Sequence, residues 1–292
     1  MKAINNKKKI STISKPSMKI DGFEIKTIYS DFELKNVNVD FYNRLMLQAY
    51  KIGLVKESSF YDYGSEVDIK KLDKLVLSLH KKNKSSIDFA VQELRECPSF
   101  YALVNKKFLS VSSKLLKCPA SLLKVHFDGI LVNIPSNKQR LYRFHSEAHY
   151  YPYRKNFINL WMPIIHDKTP NNGPMIVKHK GHVRHYDFNE YSGFDKVEGN
   201  ENTEENFFYQ LELPDNQVSD LETLIADLPV GDGLFLNSNL PHSSTINKSN
   251  LPSYALIARV YDYRKDLTLS DKTGVKLYNG AKGGYPGLKP II

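Results

Sequence analysis

Two hydrophobic periodicities divide the chain. Up to about residue 121 the apolar positions recur at helical spacing, and beyond it they take the spacing of strands. Ile69, Leu72, Leu75, Val76 and Leu79 fall on one face of a helix predicted over 68–82. Ser86 is placed to cap a second helix running to Leu94, and Pro98 stops it. Phe100 to Leu116 reads as a third, longer helix, and Asp40 to Ile52 as a further one. The strand-like runs are 123–132, 140–151, 157–164, 174–180, 234–237 leading to His242, and 254–261. Helices first and strands second predict a mainly β fold with flanking helices. The expected architecture is one domain over 19–292. A helical N-terminal buttress spans 19–121 and a jelly-roll or cupin-like core spans 122–265, with 266–292 as a C-terminal tail. Residues 187–227 interrupt the strands with Gly, Asn and Glu, which is loop chemistry. An insertion of that length is expected either to cap the open mouth of a barrel as a lid or to decorate its surface.

Composition limits the choices further. In 292 residues, 41% apolar and 25% charged content suits a soluble globular protein. No apolar run approaches a membrane span. Lys2 and Lys7 to Lys9 are followed by no apolar segment of the secretory type, so residues 1–18 are expected to be a disordered basic tail. Cys97 and Cys118 are the only cysteines, which suggests no disulfide framework; reduced thiols and a cytoplasmic location are the default. Charge is unevenly spread. Residues 187–227 hold twelve acidic side chains and one basic one, a net −11 against +9 for the whole chain, which leaves +20 on the remainder. Such a body favours an anionic small molecule, although lysines are commonly just solvated surface. No basic-aromatic motif points to nucleic acid.

The chemistry concentrates in His145-Ser146-Glu147 and a lone His242. On a strand, residues i and i+2 share a face, so His145 and Glu147 can reach one metal ion. A second histidine from another strand completes a two-histidine, one-carboxylate set with open positions, as non-haem Fe(II) requires. His149 shares that face and is expected to touch substrate or support the ligands, while Trp161 is expected in the core or cavity wall. An upstream His126 and Asp128 have the same spacing, but Asp128 reads better as the start of a turn or bulge at Gly129.

In order along the chain, Phe144 to Pro152, Asn159 to Ile164, Asn172 to Val177, Gly231 to Phe235 and His242 to Ser249 resemble the phytanoyl-CoA dioxygenase-like branch of the Fe(II)/2-oxoglutarate oxygenases. The resemblance covers about 95–262. It implies a double-stranded β-helix core, Fe(II) on His145, Glu147 and His242, and 2-oxoglutarate and O2 as cosubstrates. Hydroxylation of a small molecule, with release of succinate and CO2, is the implied activity. The carboxylate argues against halogenation, for which the family substitutes a small residue. One departure stands out. The family usually places an arginine for the far carboxylate of 2-oxoglutarate eleven residues after the second histidine, and here that position is Ser253. Arg259 on the same strand face is the first substitute, followed by Arg143 and Lys178. Two other readings stay open at this point. One is a cupin-like metalloenzyme that does not use 2-oxoglutarate, and the other is a degenerate family member that binds a ligand without turnover.

Overall fold

The computed structural model describes residues 8–137, 141–151, 156–194 and 207–265. Helix α1 covers Asp31–Lys51. It begins earlier than its apolar pattern predicts because Ser30 and Glu33 form a reciprocal capping box, which satisfies the first exposed backbone donors. Helix α2 (Ile69–Lys82) starts at Asp68, whose carboxylate accepts from the Lys70 and Lys71 amides. Helix α3 spans Ser85–Leu94. The expected single helix over 100–116 is in fact two, α4 (Pro98–Ala102) and α5 (Lys106–Leu116). Asn105 breaks it, since its side chain takes the Phe108 amide and so starts a new helix.

The strands form two sheets. The larger contains β2 (Phe23–Thr27), β3 (Leu123–Asn133), β4 (Phe157–Pro163), β9 (Asp232–Asn237) and β11 (Ser253–Asp262). Their order is β2-β9-β4-β11-β3, antiparallel throughout. The smaller contains β1 (Lys8–Lys9), β5 (Met175–Lys178), β8 (Thr223–Ile225) and β10 (His242–Ser244), in the order β1-β8-β5-β10. Two facing, mainly antiparallel sheets with helices on one side make the expected helix-buttressed jelly roll. Strand β4 is buried along its whole length, as a central strand covered on both faces must be. Ile158, Leu160 and Met162 pack outward into the helix-covered core, whereas Trp161 joins the smaller core inside the barrel. No helix among the described residues is long and apolar enough to cross a membrane.

Three expectations need correction. Residues 140–151 do not form a strand. His145 makes one isolated bridge to His242, and Glu147–Tyr150 is a helical turn, α6. The segment 187–227 is not loop alone. It holds the hairpin β6 (Asn189–Phe194) with β7 (Phe207–Glu212), the short α7 (Asp215–Val218), and β8, whose buried Leu224 and Ile225 pair with β5. Residues 195–206, where much of the acidic charge lies, are outside the described residues, as is the tail 266–292. The basic N-terminus is not disordered to residue 18, because Lys8 and Lys9 pair in parallel with Leu224 and Ile225 and Ile10 is fully buried. One apolar side chain after a lysine run anchors it.

That docking is testable. Ile10→Ala should lower unfolding stability in urea by about 2–5 kcal/mol, the cost of truncating a buried aliphatic side chain. Unchanged stability would show that the N-terminal segment does not pack on the barrel.

Candidate metal centre

The barrel interior holds a cavity of about 630 Å³ reaching from Asn133 and Gly173 to Arg259. His145, Glu147 and His242 line it, and all three are buried. One ligand-capable atom from each lies within 4.8 Å of the others, and this is the only such trio among the described residues. The bridge between His145 and His242 sets two imidazoles side by side, with ring centroids 4.3 Å apart. Glu147 then reaches them from the first turn of α6, with its Oε1 3.7 Å from His242 Nε2. His145 and Glu147 therefore share the site across a strand-to-helix boundary and not by strand alternation.

The hydrogen bonds fix the tautomers. His145 Nδ1 lies 2.7 Å from the Arg143 carbonyl and His242 Nδ1 2.9 Å from the Leu240 carbonyl. A carbonyl can only accept, so both Nδ1 atoms carry a proton, and in the neutral ring each Nε2 presents a lone pair. Burial, then the neighbouring His242, pulls the His145 imidazolium down to about 3, which leaves the ring neutral and ready to ligate.

Glu147 is the electrostatic centre. Burial alone would raise its carboxyl, but the Arg259 guanidinium overrides this and holds it well below the usual range. Arg259 Nε donates to Glu147 Oε2 at 2.8 Å, and its Nη1 donates to Asp128. Tyr151 covers the guanidinium at 4.8 Å. Asn159 Nδ2 donates to Glu147 Oε1 at 3.3 Å, while Asn159 Oδ1 is buried without a partner and lines the cavity. A donor on a bound ligand would satisfy it. Asp128 arrives through the bulge expected at Gly129. Phe127 pairs with Ala258 and Gly129 with Ile257, so Asp128 is the extra residue and turns inward. Gly129 sits at φ +108, a conformation that favours glycine. His126 is half exposed beside Asp128 and brings no third ligand.

The other candidates are placed differently. Arg259 reaches the site, but Glu147 and Asp128 already engage it. Arg143 points outward to Glu212, at 2.8 Å. Lys178 is buried over Phe144 and 3.5 Å from the Leu221 carbonyl, away from the cavity. His149, expected to face the substrate, instead bonds Ser146 Oγ and the Tyr186 carbonyl, because the helical turn rotates it off the His145 face. Trp161 lines the cavity, as expected. Ser253 is buried and bonds the Lys168 ammonium at 2.7 Å. Sequence reasoning missed Asp128, Asn159 and Tyr151 as residues of this site. Only Asp128 carried a signal, its following glycine.

The residues present suit a divalent metal: two neutral Nε2 donors and a fixed carboxylate oxygen, the set that non-haem iron takes. A consequence for the metal-free protein follows. Arg259→Ala leaves a buried carboxylate uncompensated and should cost about 3–5 kcal/mol at neutral pH. A depressed carboxyl stabilises the fold above its unfolded value of about 4.3 and loses that contribution as pH falls. Urea unfolding at several pH values should therefore show the gap between wild type and variant at its full size above about 4.3 and closing as pH falls below it. A gap independent of pH would contradict the role given to Arg259.

Comparison with known proteins agrees with this geometry. The family model described as phytanoyl-CoA dioxygenase (PhyH) matches residues 56–252. No curated protein matches the chain. Among solved structures, EvdO2 from Micromonospora carbonacea var. aurantiaca, complexed with 2-oxoglutarate, aligns with a TM-score of 0.52 and 15% identity, covering 86% of this chain and 91% of that one. ThoJ, a non-heme monooxygenase in its apo form, aligns with a TM-score of 0.50 and 13% identity, covering 84% and 75%. At such identity these likenesses establish the fold. With the family model spanning well over half of its length, the chain belongs to the phytanoyl-CoA dioxygenase (PhyH) family.

Proposed function

We propose that this protein is an Fe(II)- and 2-oxoglutarate-dependent dioxygenase that hydroxylates a small molecule. The buried trio His145, Glu147 and His242, whose ligand-capable atoms lie within 4.8 Å of one another while both Nδ1 atoms are taken up by backbone carbonyls, carries this reading. The 2-oxoglutarate bound to the similarly folded EvdO2 supports the choice of cosubstrate. When bound, Fe(II), 2-oxoglutarate and O2 supply the oxidising power, giving succinate and CO2 and placing one oxygen atom in a substrate C–H bond.

The chain's own residues bind, orient and shield. The His145 and His242 Nε2 atoms and Glu147 hold the metal. Arg259 and Asn159 fix the two carboxylate oxygens, so that Oε2 is occupied and Oε1 faces the imidazoles. Asp128 balances the second edge of the guanidinium. Tyr142, Tyr150 and Tyr151 line the cavity beside the trio and give the substrate apolar faces with hydroxyl tips. Helix α3 contributes Asp88, Gln92 and Arg95 at the other side. This lining is mixed in charge, and its Arg259 is already paired. The expectation of an anionic substrate therefore finds no added support in the cavity. A neutral, hydroxyl-bearing small molecule fits the lining better.

Metal analysis after anaerobic reconstitution tests the assignment. Wild type should hold one Fe(II) per chain and release succinate from 2-oxoglutarate. His145→Ala and His242→Ala should each lose both while keeping the circular dichroism of the fold. Stoichiometric iron retained in both variants would contradict the site. Iron binding without succinate release would leave a metalloprotein that does not use 2-oxoglutarate.

A further inference from the structure

Lys168 is a buried cation that no described carboxylate neutralises. It is 4% exposed, and its Nζ bonds Ser253 Oγ at 2.7 Å. That hydroxyl in turn donates to the Asn172 carbonyl at 2.6 Å, so it can only accept from the lysine. The ammonium has three donors, and one of them is used there. It also lies 5.6 Å from the ring centroid of Trp161, a residue of the cavity wall. Gly173 and Pro174, which follow Asn172, line the same end of the cavity. Burial pulls the ammonium down to about 7, and no charged neighbour offsets that shift. An unpaired buried ammonium is costly unless an anion joins it.

Its loop is held firmly. The Lys168 amide donates to the Leu228 carbonyl at 2.7 Å, and Asp167 accepts the Val230 amide at 2.8 Å. Asn172 Nδ2 closes the loop on the Asp167 carbonyl at 2.7 Å. The ammonium is thus delivered to Ser253, the position eleven residues after His242, at the end of the inward face of β11 that also carries Ile257 and Arg259. Charge balance points the same way. Glu147, Asp128 and Arg259 together carry one negative charge. A divalent metal and a dicarboxylate dianion bring that to minus one, and a protonated Lys168 brings it to zero.

We infer that Lys168, seated on Ser253, is the cation that holds the far carboxylate of 2-oxoglutarate, in place of an arginine at position 253. This deepens the proposed function and rests on it. Lys168 and Ser253 stand directly behind the Trp161 and Asn133 wall of the cavity, from where Lys168 would supply charge-assisted hydrogen bonds to the far carboxylate while the keto-acid end meets the metal. Arg259, Arg143 and Lys178 are not the anchor, since each is engaged elsewhere.

The test is calorimetric titration of the Mn(II)-loaded protein with 2-oxoglutarate and with pyruvate, which has the keto-acid end but no far carboxylate. The emission of Trp161, the chain's single tryptophan, gives a second readout. Lys168→Met should weaken 2-oxoglutarate binding by about 10- to 100-fold, the loss of hydrogen bonds to a charged group, and leave pyruvate binding unchanged. Ser253→Asp keeps the lysine but supplies an internal carboxylate, and should weaken 2-oxoglutarate selectively as well. It remains informative if the first variant does not fold. Lys168→Met together with Ser253→Arg should recover 2-oxoglutarate binding. Wild-type binding with equal affinity in Lys168→Met, or equal weakening of both keto acids, would overturn this inference and leave the proposed function standing. Absence of 2-oxoglutarate binding in wild type would overturn the proposed function itself.

Discussion

A carboxylate taken out of water is the constraint around which this barrel is organised. Glu147 is 5% exposed, and an isolated buried carboxylate would protonate rather than stay charged. Each neighbouring strand contributes to keeping it ionised. In the ladder, Arg259 of β11 stands between Asn159 of β4 and His126 of β3. The first two of these hold the Glu147 oxygens directly. The bulge in β3 turns Asp128 toward the same guanidinium. On the facing sheet, β10 brings His242 and bridges His145. The order of strands therefore appears inside the barrel as a row of complementary charges.

That arrangement produces function because it is one charge short of neutral. Both imidazoles donate from Nδ1 to backbone carbonyls, so in the neutral form each presents its Nε2 lone pair. A divalent cation between them would satisfy three acceptors at once. The Arg259 contact would then act as an outer support, fixing the direction of the carboxylate, the role that such partners play in metal sites generally. Behind the Trp161 wall of the cavity, Lys168 is the matching feature: a buried ammonium whose hydrogen bond goes to the Ser253 hydroxyl and to no described carboxylate.

Much of this was legible in the sequence. The change of period near residue 121 and the buried run Phe157–Pro163 led to the right fold, and His145, Glu147 and His242, far apart in sequence, do lie together. The bulge at Gly129 was also legible. Other features were not, for identifiable physical reasons. The His145 segment alternates like a strand, but Ser146 leads into a helical turn, so Glu147 arrives by a different path and His149 rotates away. Helix α1 starts early because Ser30 and Glu33 form a capping box, which apolar periodicity does not register. Ile10 is a single anchor in a basic segment, too short for any pattern. Arg259 sits on the predicted face, yet its partner Asp128 becomes visible only once the bulge shifts the register of β3. Lys168 lies in a loop, where alternation assigns no direction to a side chain, and only the tertiary fold brings it to Ser253.

The central claim is that one metal ion binds between His145, Glu147 and His242, and crystals of the Mn(II)-loaded protein test it most directly. An anomalous difference map should show one strong peak per chain, within bonding distance of His145 Nε2, His242 Nε2 and a Glu147 carboxylate oxygen, with Arg259 still on the other oxygen. A peak at another cluster, such as His126 with Asp128, or no peak between the two imidazoles, would contradict the account.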